Sequence, residues 1–195
     1  MSFRLFLVLV VVAGILYSGY WLYRNTSALR DRSTADKKPF SFAKVQLWWW
    51  TLVIISCYAL VYGITGQFWE LNSTCLALLG IGIGTAGGGS VLDSQDLANP
   101  AVPERHQDEE SEGFFRDILS DESGVSLPRF QALAFNVVYG LAFTITAITR
   151  ATGQGTEGAF MDFGESGLTL MGVSAAAYLA AKSQENKPAP APPAA

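Results

Sequence analysis

The sequence predicts an all-α, polytopic membrane protein of about five transmembrane helices, arranged as two parallel helical-hairpin repeats behind an N-terminal anchor helix. Three observations carry this. Four blocks of the 195-residue chain, Leu5–Leu22, Leu47–Ile64, Leu71–Leu92 and Phe130–Thr149, hold no charge, each over about the 18 or more residues that a bilayer span requires. One of them, Leu71–Leu92, sets six glycines into the ten positions Gly80–Gly89. Each would cost a water-exposed helix about 1 kcal/mol relative to alanine, but in lipid the solvent enforces the helix and glycine lets another helix approach closely. The third observation is an internal duplication, described below.

Residues 1–23 read as a retained anchor and not a cleaved leader, because no small-x-small site precedes a polar start and the stretch runs on through Tyr20, Trp21 and Tyr23. A basic segment, 24–46, follows. Residues 1–46 hold seven Lys/Arg against two acids, and the rest of the chain six against fifteen. That bias puts the N-terminus outside and 24–46 in the cytoplasm; threading the spans alternately then places eleven of the thirteen Lys/Arg on the cytoplasmic side, with the C-terminus.

Residues 47–92 form the first hairpin. Trp48, Trp49 and Trp50 mark its headgroup level, Phe68 and Trp69 its far end, and Asn72, Ser73 or Thr74 can cap the returning helix. Residues 93–127 carry ten acids, two arginines, Pro100 and Pro103, and so predict a solvated loop. Within it Phe114, Phe115, Ile118 and Leu119 have helical spacing, which suits a short interfacial helix. Residues 128–182 form the second hairpin, whose last span, Ser166–Ala181, is short and alanine-rich; 183–195 read as a disordered Pro/Ala tail.

The duplication ties these parts together. Ser41-Phe-Ala-Lys44-Val-Gln46 matches Ser126-Leu-Pro-Arg129-Phe-Gln131, and Leu78-Leu-Gly80-Ile-Gly82-Ile-Gly84-Thr85 matches Leu170-Met-Gly172-Val-Ser174-Ala-Ala176-Ala177, in the same order. Both units start on one side, so they are parallel repeats about an axis along the membrane normal. Two packings stay open. Either Gly80, Gly84 and Gly88 meet Gly172, Ala176 and Ala180 at the centre with the second and fourth spans outside, or each returning helix packs on its own hairpin partner. Lys44, Gln46, Arg129 and Gln131 occupy equivalent interfacial positions, suited to snorkelling or to contact with lipid phosphate or an acidic partner. Thr85, Asn136, Tyr139 and Ser174 are candidates for a polar cluster bonded across spans.

These motifs resemble a group of bacterial inner-membrane proteins with tandem two-helix hairpins, a Ser-x-x-Arg-x-Gln-type lead-in and a Leu-Leu-Gly-Ile-x-x-Gly-Thr-type returning helix. The resemblance covers residues 39–92 and 113–182. It implies a multi-pass protein of the bacterial inner membrane and no activity.

Site chemistry is sparse. His106 is the one histidine, and Cys57 and Cys75 sit in different apolar blocks, with neither metal spacing nor an expected disulfide. Gly82-x-Gly84-x-x-Gly87 lacks the strand a dinucleotide fingerprint needs before it, and the acids Asp108, Glu109, Glu110 and Glu112 lack calcium-loop spacing. No nucleophile has a base beside it and no ionisable residue lies deep in a span. The expectation is therefore no enzyme, no cofactor, no metal and no nucleic acid. The partners expected are the lipid bilayer and either a second copy of the chain or a membrane complex. Scaffolding or anchoring through the small-residue faces is the leading function, and a small oligomeric channel the alternative.

Overall fold

The structure, a computed structural model, describes residues 3–100, 102, 105–154 and 158–186, so the Pro/Ala tail from 187 onward lies outside the described residues. Six α-helices are described: α1 (Phe3–Asn25), α2 (Phe42–Thr65), α3 (Ser73–Ala98), α4 (Phe114–Leu119), α5 (Leu127–Thr149) and α6 (Gly164–Lys182). A two-stranded antiparallel ribbon, β1 (Ser120–Asp121) and β2 (Gly124–Val125), joins α4 to α5. Four helices are long and apolar enough to cross a membrane: α1, α2, α3, and α5 continued through its terminal π turn to Gly153. The protein is thus mainly helical and has the composition of a multi-pass membrane protein.

Local chemistry sets the helix ends. Ser41 and Ser126 stand in extended conformation before α2 and α5, and their carbonyls accept the first helical bonds, from Val45 at 2.9 Å and Phe130 at 3.0 Å. Asn72 caps α3 by accepting the Cys75 N–H at 3.0 Å, and Gly66 ends α2 in the left-handed region at φ 77°. Two boundaries differ from expectation. α2 begins five residues before the uncharged block, and α3 runs past Leu92 to Ala98, which makes Asp93 and Asp96 helical. Both extensions carry charges that find partners at the end of the bundle, so the helix did not have to stop where the apolar run stops.

α2 is the central element, with α1, α3 and α5 packed around it, and α6 packs on both α3 and α5. α1 runs antiparallel to α2. Its Arg4 donates from Nε to the Gly63 carbonyl and from Nη2 to the Ile64 carbonyl, both at 3.1 Å, a cation placed at the negative end of α2. The other four helices close a ring in the order α2, α3, α6, α5, in which like meets like: α2 touches α5 and α3 touches α6. Of the two packings left open, the first is met in the α3–α6 contact and the second in the α2–α3 contact; only the placing of the second and fourth spans outside, which would hold α2 away from α5, is not kept. The physical reason is a buried polar demand. In lipid an indole N–H needs an acceptor, and Trp49 and Trp50 of α2 find theirs on α5, donating to the Asn136 carbonyl at 3.1 Å and to Asn136 Oδ1 at 2.6 Å. Trp50, Ile54, Leu78, Phe143 and Met171 fill the ring.

Candidate functional site

Residues 26–46, 93–100, 105–129 and 182–186 gather at one end of the bundle, where both repeats begin and end. The duplication is visible there in hydrogen bonds. The Ser41 N–H donates to Leu29 O and the Ser126 N–H to Leu119 O, each at 2.8 Å. Lys44 Nζ donates to Arg30 O at 2.6 Å, and Arg129 Nη1 donates to Ser120 O. Antiparallel pairing closes each lead-in, Arg30 with Phe40 and Ser120 with Val125. The repeat therefore extends upstream to Leu29-Arg30 and Leu119-Ser120, where sequence retains only a leucine in common.

It extends downstream as well. The offset that aligns Leu78 with Leu170 aligns Asp93 with Glu185. Arg129 pairs with Glu185, whose other oxygen accepts from Gln107 Nε2 at 2.9 Å, and the Arg129 guanidinium lies 5.4 Å from the Tyr178 ring centroid. In the first half Lys44 has Asp31 and Asp93 as electrostatic neighbours, but the closest cation to Asp93 comes from the other repeat. Lys182 Nζ lies 2.9 Å from Asp93 Oδ1 and 3.6 Å from Asp31 Oδ2. The Lys182 and Asp93 side chains are 2% and 1% exposed, and Asp93 Oδ2 and Asp31 Oδ1 have no hydrogen-bond partner among the described residues. Four charges, Lys44 and Lys182 against Asp31 and Asp93, thus tie the segment after α1 and the ends of α2, α3 and α6 into one cluster.

The acidic segment folds over this cluster, which corrects the expectation of a solvated loop: Arg105, Gln107 and Ser111 are buried. Arg105 donates to the Asp93 carbonyl and the Arg32 carbonyl, both at 3.2 Å, and to both Asp108 oxygens at 2.6 and 2.8 Å. Asp108 Oδ1 also accepts the Thr34 N–H at 2.6 Å. Partial burial pushes the Asp108 carboxyl upward, but the bonds from Arg105 and Thr34 outweigh it and hold the group below the usual carboxylate range. A depressed carboxyl contributes stability that is present above its ordinary titration range and lost as pH falls through its folded value. The protection factor of the Thr34 amide is accordingly expected to drop in Asp108→Ala at neutral pH, and in the native chain only on strong acidification. Unchanged Thr34 protection in the variant would refute the anchoring.

The sequence-selected residues divide. Lys44 and Arg129 turn into the charged end instead of snorkelling, because carbonyls and acids of the lead-ins stand within reach. Gln46 is buried with Oε1 unpaired, whereas Gln131 is exposed, so the equivalence of the two glutamines is not kept. The expected polar cluster is not assembled. Thr85 bonds to Ile81 O in its own helix, Tyr139 packs on the Phe163 ring at 4.7 Å, and Asn136 is taken by Trp50. Asp93, Lys182 and Glu185 were missed; carrying the alignment of the returning helices past Ala177 would have paired the two acids.

The small-residue positions also divide. On the inner side, a Cβ on Gly88 would stand 3.2 Å from Leu179 of α6, and one on Gly82 would stand 3.3 Å from the Leu47 backbone of α2. On the outer side, Cβ positions at Gly80, Gly84, Gly87 and Gly172 have nothing within 4 Å, and Ala176 and Ala180 are exposed. α3 therefore contacts α6 through Gly88, while Gly80 and Gly84 look outward between Leu76, Ile83 and Val91, exposed at 60%, 62% and 56%.

Within the charged cluster itself, the cavity lined by Asp31, His106, Arg129, Lys182 and Glu185 measures about 40 Å³, enough for a few water molecules and too small for an organic substrate. Its chemistry is that of a clamp. No family model matches the chain, and neither a curated protein nor a solved structure matches it.

Proposed function

We propose that the protein is an integral membrane scaffold that assembles with copies of itself, or with a membrane partner, through the outer face of α3 and α6. The observation that carries this reading is the open space beside Gly80, Gly84, Gly87 and Gly172. In lipid, apolar helices gain nothing by hiding apolar surface; association rests on close backbone approach, which an uncovered small-residue face permits. The clamp at the charged end supports the same reading, since a rigid bundle presents such a face in fixed shape. The channel alternative has no supporting observation, because large side chains fill the ring.

α6 is the fifth span in this proposal. At about 1.5 Å per residue, its 19 residues rise about 28 Å, close to the roughly 30 Å hydrocarbon core. Its start lies by Asp162, bonded to Thr74 at 3.1 Å, and its end by Asp93, so it traverses the bundle. The charged end, with the basic segment 24–46, faces the cytoplasm of a bacterial inner membrane. Both native cysteines are free and buried, which leaves single-cysteine labelling readable. Glu70→Cys is expected to react with an impermeant maleimide from outside and Glu122→Cys only after permeabilisation; labelling of both from one side would overturn the topology.

Assembly is tested by single-molecule photobleaching in liposomes. The native chain is expected to show multi-step bleaching at dilute protein-to-lipid ratios, and Gly84→Leu to shift the distribution to single steps. A native chain that bleaches in one step, or an unshifted variant, would overturn self-assembly.

A further inference from the structure

α1 and α5 flank α2 with a groove left between them, walled by side chains of all three helices and of α4. Near the charged end lies a cavity of about 320 Å³ walled by Tyr23, Trp48, Trp49, Phe114 and Val137. It shares Tyr23, Trp48 and Trp49 with a second hollow of about 440 Å³ that descends along α2 past Leu16, Leu52 and Leu60. The two make one apolar track, beginning under α4 and running into the depth of the membrane. At its mouth Tyr23 stacks on Phe40 with centroids 5.3 Å apart, and the Arg30 guanidinium lies 4.1 Å over the other part of that stack, the Phe40 ring.

Beyond the stack is a basic recess of about 350 Å³ lined by Arg24, Arg30, Lys37 and Lys38, with Asp36 as its one acid. None of these four cations is in an ion pair among the described residues. Arg30 is held by the Lys38 carbonyl and Lys37 by the Ser111 carbonyl at 3.2 Å, while among the described residues the Arg24 and Lys38 side chains make no hydrogen bond. An unneutralised positive recess next to an apolar track of this orientation fits one occupant by charge and by shape.

We propose that this is a binding site for an anionic glycerophospholipid of the adjoining leaflet. One acyl chain lies in the track against Trp48 and Trp49, and the phosphate sits in the recess at Arg24 and Lys38. The chain chemistry matches the apolar walls, and the aromatic collar sits where the ester region of a lipid would pass. The site is on the α1/α5 side of the ring and does not involve the α3/α6 face.

The experiment uses the full chain in liposomes at a dilution of one copy per vesicle, with phospholipids brominated on the acyl chain as tryptophan quenchers. At equal mole fraction, brominated phosphatidylglycerol is expected to quench more strongly than brominated phosphatidylcholine. Each basic residue near the phosphate strengthens binding about fivefold, so Arg24→Gln with Lys38→Gln should lower the anionic preference at least tenfold. Arg24 is exposed and Lys38 half-buried, and the fold is expected to tolerate both changes, which circular dichroism verifies. Val137→Trp, which narrows the track from an exposed position, should weaken quenching at Trp48 and Trp49 by either lipid, read with that added tryptophan subtracted through a Trp48→Phe/Trp49→Phe background. Equal quenching of the native chain by both lipids, or a preference unchanged in the double glutamine variant, would overturn the site. Because each vesicle holds one copy, that result would leave the assembly reading untouched, and a failure of assembly would leave the lipid site untouched.

Discussion

Lys182→Met is expected to destabilise the detergent-solubilised protein by about 3–5 kcal/mol, the usual cost of removing one partner from a buried ion pair. The loss exceeds that of an exposed pair because Lys182 serves two carboxylates, Asp93 at 2.9 Å and Asp31 at 3.6 Å, and Asp93 already has one oxygen without a hydrogen bond. Without the ammonium, a fully buried carboxylate faces only Lys44, which is itself spent on the Arg30 carbonyl. Asp93→Leu should also destabilise the protein, by leaving the buried cation with Asp31 alone at 3.6 Å. Combining the two should cost clearly less than their sum, since an apolar pair of similar volume often replaces a buried ion pair nearly neutrally. Thermal unfolding followed by tryptophan fluorescence provides the double-mutant cycle. Additive losses would show that Lys182 and Asp93 do not act as a pair.

The second large effect separates two glycines a half-turn apart. Gly82→Leu is expected to destabilise the bundle by about 1–3 kcal/mol or more, the range for overpacking a filled interface, because even a Cβ there would stand 3.1 Å from the Leu47 side chain and 3.3 Å from its backbone. Backbone cannot rotate away as a side-chain tip can, so α2 and α3 must separate. A Cβ at Gly84 has nothing within 4 Å, so Gly84→Leu should change stability by no more than about 0.5 kcal/mol, as expected of a surface substitution away from special features. The contrast gives the assembly experiment its control: a variant of native stability that no longer associates has lost a surface and not a fold. Unfolding of Gly82→Leu at the native midpoint would mean that α3 does not approach α2 as closely as described.

Much of the bundle is legible in the chain itself. Helix identity followed from uncharged length, since a chain in lipid must satisfy its backbone internally, and α4 followed from Phe114, Phe115, Ile118 and Leu119 at helical spacing. The lead-in repeat was legible too, and Ser41 and Ser126 proved to be matching helix caps. The tryptophan–asparagine contact was not. Asn136 was identifiable as a polar residue inside a span, but whether it met Thr85, Ser174 or an indole depended on which helix lay beside α5. The acidic segment misled for a related reason: composition reports average solvation, and residues such as Arg105 and Gln107 are buried through particular partners that an average does not contain.

The apolar helices α1, α2, α3 and α5 could be read from the chain alone, because uncharged length acts locally and each segment carries its own signal. Helix packing settled the rest: α2 lies against α5 and α3 against α6, Lys182 closes on Asp93, and Gly82 is covered while Gly84 is open. Those outcomes depend on the relative rotation of neighbouring helices, and a difference of a half-turn, which leaves every local pattern unchanged, exchanges a buried face for an exposed one.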